Sequence, residues 1–100
     1  MVRKRRRFEH YMSEQKPYLN PQLRIVDLTE ELHTNRTYLS GFINRTYGLN
    51  SSGFINRLRM REFNALSKNP DFGQASKDEL ASQAGFENYR SYLRVKKDVV

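Results

Sequence analysis

Two short stretches carry the side chains best suited to chemistry with a polyanion. Asn35-Arg36-Thr37-Tyr38-Leu39-Ser40 recurs in kind 53 residues later as Asn88-Tyr89-Arg90-Ser91-Tyr92-Leu93. Arginine pairs bidentately with phosphate or with a guanine edge, asparagine, serine and threonine exchange hydrogen bonds with base edges, and the threonine methyl meets a thymine methyl. The elements that must present these groups are legible around them. Each asparagine is a good helix N-cap, so each stretch opens a helix. Each follows a short amphipathic segment centred on Leu28-Thr29 or on Leu80-Ala81. A short helix, a tight turn and a capped basic helix make the pattern of a helix-turn-helix reader of DNA, here written twice.

The charge is laid out in blocks. The net charge of +7 resolves into +5 over residues 1–7, −3 over 8–34, +5 over 35–61, −3 over 62–87, +4 over 88–97 and −1 over 98–100. Acids gather on the first helix of each unit, and bases on the second and on the segment after the first unit. That alternation suits two helices laid against phosphates. Other classes find little support. With no cysteine, neither disulfides nor thiolate metal sites are available. His10 and His33 lack partners at ligand spacing, and no serine sits in a Gly-x-Ser-x-Gly elbow. Asp78-Glu79 and Glu30-Glu31 are adjacent pairs that diverge by about 100° on a helix, where dipole complementation and solvation account for them. The expectation is a non-enzymatic chain with no cofactor and no metal. No apolar run approaches the ~20 residues of a membrane span, and no signal peptide is visible, so the expected location is the cytoplasm.

One hundred residues suffice for one domain. Residues 1–7 read as a flexible basic arm. Residues 8–50 form the first unit: Pro17 interrupts the opening helix, Leu23, Val26, Leu28 and Leu32 mark the next, and Asn35 starts a helix with Leu39, Phe42 and Ile43 inward, stopped at Gly48. Residues 51–69 form a linker helix capped by Ser51 or Ser52, buried through Phe54, Ile55, Leu58, Phe63 and Leu66 and closed by Asn69-Pro70. At ~1.5 Å per residue it spans about 25 Å. Residues 70–97 form the second unit, with Ser76 and Glu79 as a capping box, Gly85-Phe86 as the turn and Asn88 as the last cap. Residues 98–100 are a tail. The fold class is all-α: two helix-turn-helix subdomains joined by a long helix.

This pattern resembles the DNA-binding domain of AraC/XylS-type bacterial transcription regulators. Leu28, Leu32, Asn35, Tyr38-Leu39-Ser40, Phe42-Ile43 and Gly48 carry the likeness in the first unit. Ile55-Asn56-Arg57-Leu58-Arg59 and Ala65-Leu66 carry it in the linker, and Leu80-Ala81, Gly85-Phe86, Ser91-Tyr92 and Arg94 in the second unit. The chain departs from the family at Thr29, usually Ala; at Ser51, usually Phe; at Gly41, where many members place an arginine; and at Lys96, usually apolar. The family domain also continues through a Gly-x-x-Pro turn beyond the end of this chain. The resemblance thus implies a C-terminal regulator domain cut from a longer protein, with a softer second unit.

On this reading the recognition helices are 35–46 and 88–97, set in successive major grooves about 34 Å apart. In the first, Thr37, Ser40 and Asn44 read base edges while Arg36 and Arg45 clamp phosphates. In the second, Asn88, Tyr89, Arg90, Leu93, Arg94 and Lys97 form the outer face, with Arg90 and Arg94 placed to pair with guanine. Arg57, Arg59 and Arg61 diverge around the linker helix, so one or two of them, Arg57 among them, reach phosphate. The expected partner is double-stranded DNA. RNA polymerase is a further candidate, as is dimerisation or sensing through an upstream region, which for a membrane-tethered parent would make this its cytoplasmic domain. The competing readings are a degenerate helix-turn-helix that docks an acidic protein, and nonspecific polyanion binding through the basic arm.

Overall fold

The computed structural model describes the backbone of residues 2–99 and the side chains of residues 4–98. These residues form six α-helices and two single-turn 3-10 segments: α1 (Val2–Gln15), the 3-10 turn Pro17–Leu19, α2 (Ile25–Glu31), α3 (Arg36–Tyr47), α4 (Ser51–Ser67), the 3-10 turn Pro70–Phe72, α5 (Lys77–Gln83) and α6 (Tyr89–Val99). No strand occurs among the described residues, and no helix among them is long and apolar enough to cross a membrane. The molecule measures 43 × 25 × 21 Å, because its apolar side chains collect into two cores placed end to end.

The first core is Phe8 and Met12 of α1, Tyr18, Leu28, Leu39, Ile43 and Phe54. The second is Phe63, Leu80, Ala81, Ala84, Phe86 and Tyr92. α4 serves both: Phe54, Ile55 and Leu58 pack into the first, and Met60, Phe63 and Leu66 into the second. Rings close each core. Tyr47 stacks on Phe54 at 4.5 Å between centroids, and Phe63 on Tyr92 at 3.8 Å. A buried large side chain stabilises by about 1.5–3 kcal/mol, so each buried ring is a sizeable share of the stability of so small an interior.

Helix starts follow the capping residues. Asn35, Asn50 and Ser76 each accept a hydrogen bond from the amide three residues on, at 2.8, 2.7 and 3.1 Å. Asn50, rather than Ser51 or Ser52, therefore caps α4. An amide oxygen at that position reaches the Gly53 amide, and Ser51 becomes the first helical residue. Gly48 ends α3 with φ of 71°.

The segment expected to be a separate flexible arm is instead the beginning of α1, which runs without a break from Val2; Met1 lies outside the described residues. Phe8 and Met12, 3% and 4% exposed, anchor the helix on α3 and α4. Arg5 pairs with Glu9 one turn on at 3.3 Å, and the Lys4 ammonium lies 4.7 Å from the Tyr38 ring centre. Like-charge repulsion along the run is thus opposed by a buried anchor and two outlets for its charge. At the other end, Asp98 and Val99, expected in a tail, continue α6; Val100 lies outside the described residues.

Candidate nucleic-acid interface

α3 buries one side and offers the other. Leu39 and Ile43 are 3% and 0% exposed, and Phe42 is half-buried. Arg36, Thr37, Ser40, Asn44 and Arg45 are exposed. Arg36, Ser40 and Asn44 fall four residues apart and so form one row along the helix. That row borders an open hollow of about 860 Å³, which Ser51, Ser52 and Asn56 from the start of α4 also line. Ser40 Oγ and Ser51 Oγ lie 3.4 Å apart where the two helices meet. Arg45 lies along the helix rather than straight out from it. Its guanidinium folds back along the helix onto Gly41, where an added Cβ would come within 2.8 Å of Nη1.

α6 is built on the same plan. The Asn88 Oδ1 accepts from the Ser91 amide at 2.9 Å and from the Ser91 hydroxyl at 3.2 Å, while the Asp78 carboxylate accepts from the Tyr89 amide at 2.8 Å. The orphan amides at this helix start are thus partly satisfied from within the protein. Tyr92 is buried. Tyr89 is half-buried, 5.5 Å from Tyr92 and 6.2 Å from Phe63 between ring centres, with the Lys77 ammonium 5.3 Å from its ring centre. Tyr89 therefore belongs to the edge of the second core. Arg90, Arg94 and Lys97 are exposed along one side of α6. Leu93 stands among them at 44% exposure, the one large hydrophobic residue so open among the described residues. Its outward position on α6 is the one expected from the sequence, with Tyr92 facing inward.

The three linker arginines separate. Arg57 lies toward α1: its guanidinium carbon is 6.0 Å from the Phe54 ring centre, and its Nε is buried without a hydrogen-bond partner. It shares a recess with Glu9, Ser13 and Glu62, apart from the hollow that holds Arg36, Ser40 and Asn44. Arg59 turns into the body, where Nε donates to the Tyr18 carbonyl at 2.7 Å and Nη2 to the Asn20 carbonyl at 2.9 Å. Burial holds its pKa below the ordinary arginine value. Arg61 is exposed. The structure thus brings Arg36, Ser40 and Asn44 together and groups Arg90, Arg94 and Lys97, while Arg57 joins neither set.

No protein-family model matches the sequence, and no curated protein matches it. Among solved structures, the chain is similar to the C-terminal domain of the two-component response regulator yesN from Fusobacterium nucleatum subsp. nucleatum. The TM-score is 0.77 at 20% identity, over 95% of this chain and 87% of that one. The two share a fold. At that identity the likeness speaks to architecture, and it agrees with the all-α, double helix-turn-helix arrangement read from the repeated motif.

Proposed function

We propose that this chain is the output domain of an AraC/XylS-type transcription regulator, binding duplex DNA with α3 and α6 in successive major grooves. The observation that carries the reading is the duplicated presentation of a helix. Twice, an asparagine-capped helix turns an aromatic or aliphatic side into a core and leaves an arginine-bearing polar face open to solvent. The shared fold with a response-regulator C-terminal domain supports it. So does the segregation of positive charge onto residues 35–61 and 88–97. The units are residues 8–50 and 70–97, joined by 51–69.

Within this reading, Arg36, Thr37, Ser40, Asn44 and Arg45 serve the first half-site. Arg90, Arg94 and Lys97 serve the second, with Leu93 supplying an apolar contact of the kind a thymine methyl accepts. Asn88 contributes through its cap, which holds the helix start in place, and Tyr89 through its packing. Arg57 contributes at most a contact from the α1 side. The function is binding, with no bond made or broken.

The test is a selection from random duplex DNA at about 150 mM salt, near physiological ionic strength, with the wild type beside Arg90→Ala/Arg94→Ala. A two-part motif is expected, with one part lost in the double variant. Each arginine–guanine pair is worth about 1–3 kcal/mol. Sequence-blind, salt-sensitive binding by both proteins would overturn the reading and leave the charge as a nonspecific attraction.

A further inference from the structure

Three parts of the molecule meet at the Tyr18 carbonyl. The first is the 3-10 turn Pro17–Leu19 itself, whose Tyr18 side chain is 7% exposed within the first core. The second is α4, whose Arg59 donates to Tyr18 O at 2.7 Å and to Asn20 O at 2.9 Å. The third is the turn of the second unit. Gly85 is buried with φ of 98°, and a Cβ added there would overlap the Tyr18 carbonyl oxygen and approach the Leu19 Cα and the Arg59 Nε to 3.0 Å. Backbone of the first unit, guanidinium of the linker and backbone of the second unit are therefore packed at one point. Lys16, adjoining the same turn, pairs with Glu62 of α4 at 3.6 Å.

A helix alone is an incomplete connector. It sets the distance between two bodies at its ends, but long helices curve, and small bends or twists swing the far unit. A second point of attachment away from the helix axis removes that freedom. A planar guanidinium donating to two carbonyls of one turn suits the task, because its fork fixes direction as well as distance. A glycine opposite it permits the backbone-to-backbone approach that any side chain would prevent.

We infer that the Arg59–Tyr18–Gly85 junction is a spacing ruler: it fixes the orientation of α6 relative to α3, and so the separation of half-sites that the protein accepts. Arg59 and Gly85 are positioning residues and touch no base. The inference rests on the DNA-binding reading above, and its test separates the two.

The chain has no cysteine, so a pair of spin labels can be introduced at exposed sites, Glu30→Cys on α2 and Ser82→Cys on α5, and the distance distribution between them measured in the free protein. A narrow distribution is expected with Arg59, and a broader one with Arg59→Gln. An unchanged distribution in Arg59→Gln would overturn the junction regardless of what happens on DNA. In parallel, a duplex library carries the selected half-sites at varied spacing. The wild type is expected to prefer one spacing. Arg59→Gln is expected to keep both half-site sequences, accept neighbouring spacings and bind the best site roughly tenfold more weakly, as when about a tenth of molecules hold the competent orientation. Its slope of affinity against salt should not change, whereas loss of a phosphate contact lowers that slope by about one. A broadened distance distribution with an unchanged spacing preference would overturn the ruler, as would a reduced salt slope. If Arg59→Gln fails to fold, Arg59→Lys, which keeps the charge and one donor direction, takes its place with intermediate effects expected. A wild type that selects no two-part site defeats the function proposed above and the ruler with it, while the spin-label result still reports on the junction.

Discussion

The two helix-turn-helix turns close with the same bonds and face different surroundings. In the first, the Thr34 amide donates to Thr29 O at 3.0 Å, and in the second the Phe86 amide donates to Ala81 O at 3.0 Å. The residue before each of these amides has positive φ: 54° at His33 and 98° at Gly85. His33 is exposed, so its side chain has room, and histidine is among the residues that tolerate the left-handed region. Gly85 is buried against the backbone of the first unit. One local geometry thus does two jobs. In the first unit it only reverses the chain; in the second it is also a contact surface. The packing around a turn, more than the turn itself, decides what its residues must be.

The units also differ in how they are covered. α1 lays Phe8 and Met12 over the first core, and the Tyr47 hydroxyl donates to Glu9 of α1 at 2.7 Å. Among the described residues the second core has no comparable additional helix, and relies on Phe63 of α4 stacked against Tyr92. Phe63→Ala should therefore have the largest effect, costing about 3–5 kcal/mol. Amide exchange should show α5 and α6 opening while the amides of Leu39 and Ile43 stay protected. Loss of protection in both units together would show that they melt as one. Next, Gly85→Ala should cost about 2–4 kcal/mol in urea denaturation, combining an unfavourable φ with a backbone overlap. His33→Ala, at the matching position, should stay within about 0.5 kcal/mol; equal costs would erase the distinction between the turns.

A smaller effect is expected at Gly41, for which α6 has no equivalent glycine. Gly41→Ala should raise stability by about 1 kcal/mol through helix propensity, with the added methyl pushing aside the Arg45 guanidinium that now lies on the glycine. A loss of stability in thermal melts would mean that the guanidinium cannot yield. The smallest effect is a pH response confined to the first unit. Burial and the bond to Glu9 push the Tyr47 phenol up to about 12. Because this lies above the ordinary tyrosine value of about 10, the stabilisation is complete below pH ~10 and is lost as pH rises through ~12. Donation from Tyr47 also lowers the Glu9 pKa from its ordinary 4.5. That contribution is present above pH ~4.5 and is lost as pH falls through the lowered value. Tyr47→Phe should shrink the alkaline step in a plot of Tm against pH, leaving the part due to Tyr11 and Tyr18, which burial also pushes up; an undiminished step would assign it to those two alone.

Much of this was legible in the chain because helix ends announce themselves locally. Asn35, Gly48, Ser76 and Asn88 each act within a turn of their own position, and the inward side of α3 follows from Leu39 and Ile43 alone. What could not be read depended on distant partners. Arg57, Arg59 and Arg61 look equivalent in a basic helix, and only the Tyr18 and Asn20 carbonyls, 41 and 39 residues away from Arg59, distinguish one as internal. Tyr89 follows a cap and precedes an arginine, as a contact residue would, yet Phe63 claims its ring. The basic start reads as unstructured because charge runs usually are, and Phe8 overrides that tendency from the end of the run.

That helical start has a consequence for how encounters begin. A loose basic tail searches the volume its length allows and surrenders disorder when it lands. Residues 4–7, each a lysine or arginine, continue into a helix pinned by Phe8 and Met12, so their charges travel with the body at set positions. On the DNA-binding function proposed above, they would shape the field through which a polyanion drifts in and would give up little freedom on contact. Their effect would then belong to the association rate constant, and to how steeply added salt slows it, rather than to the reach of the chain.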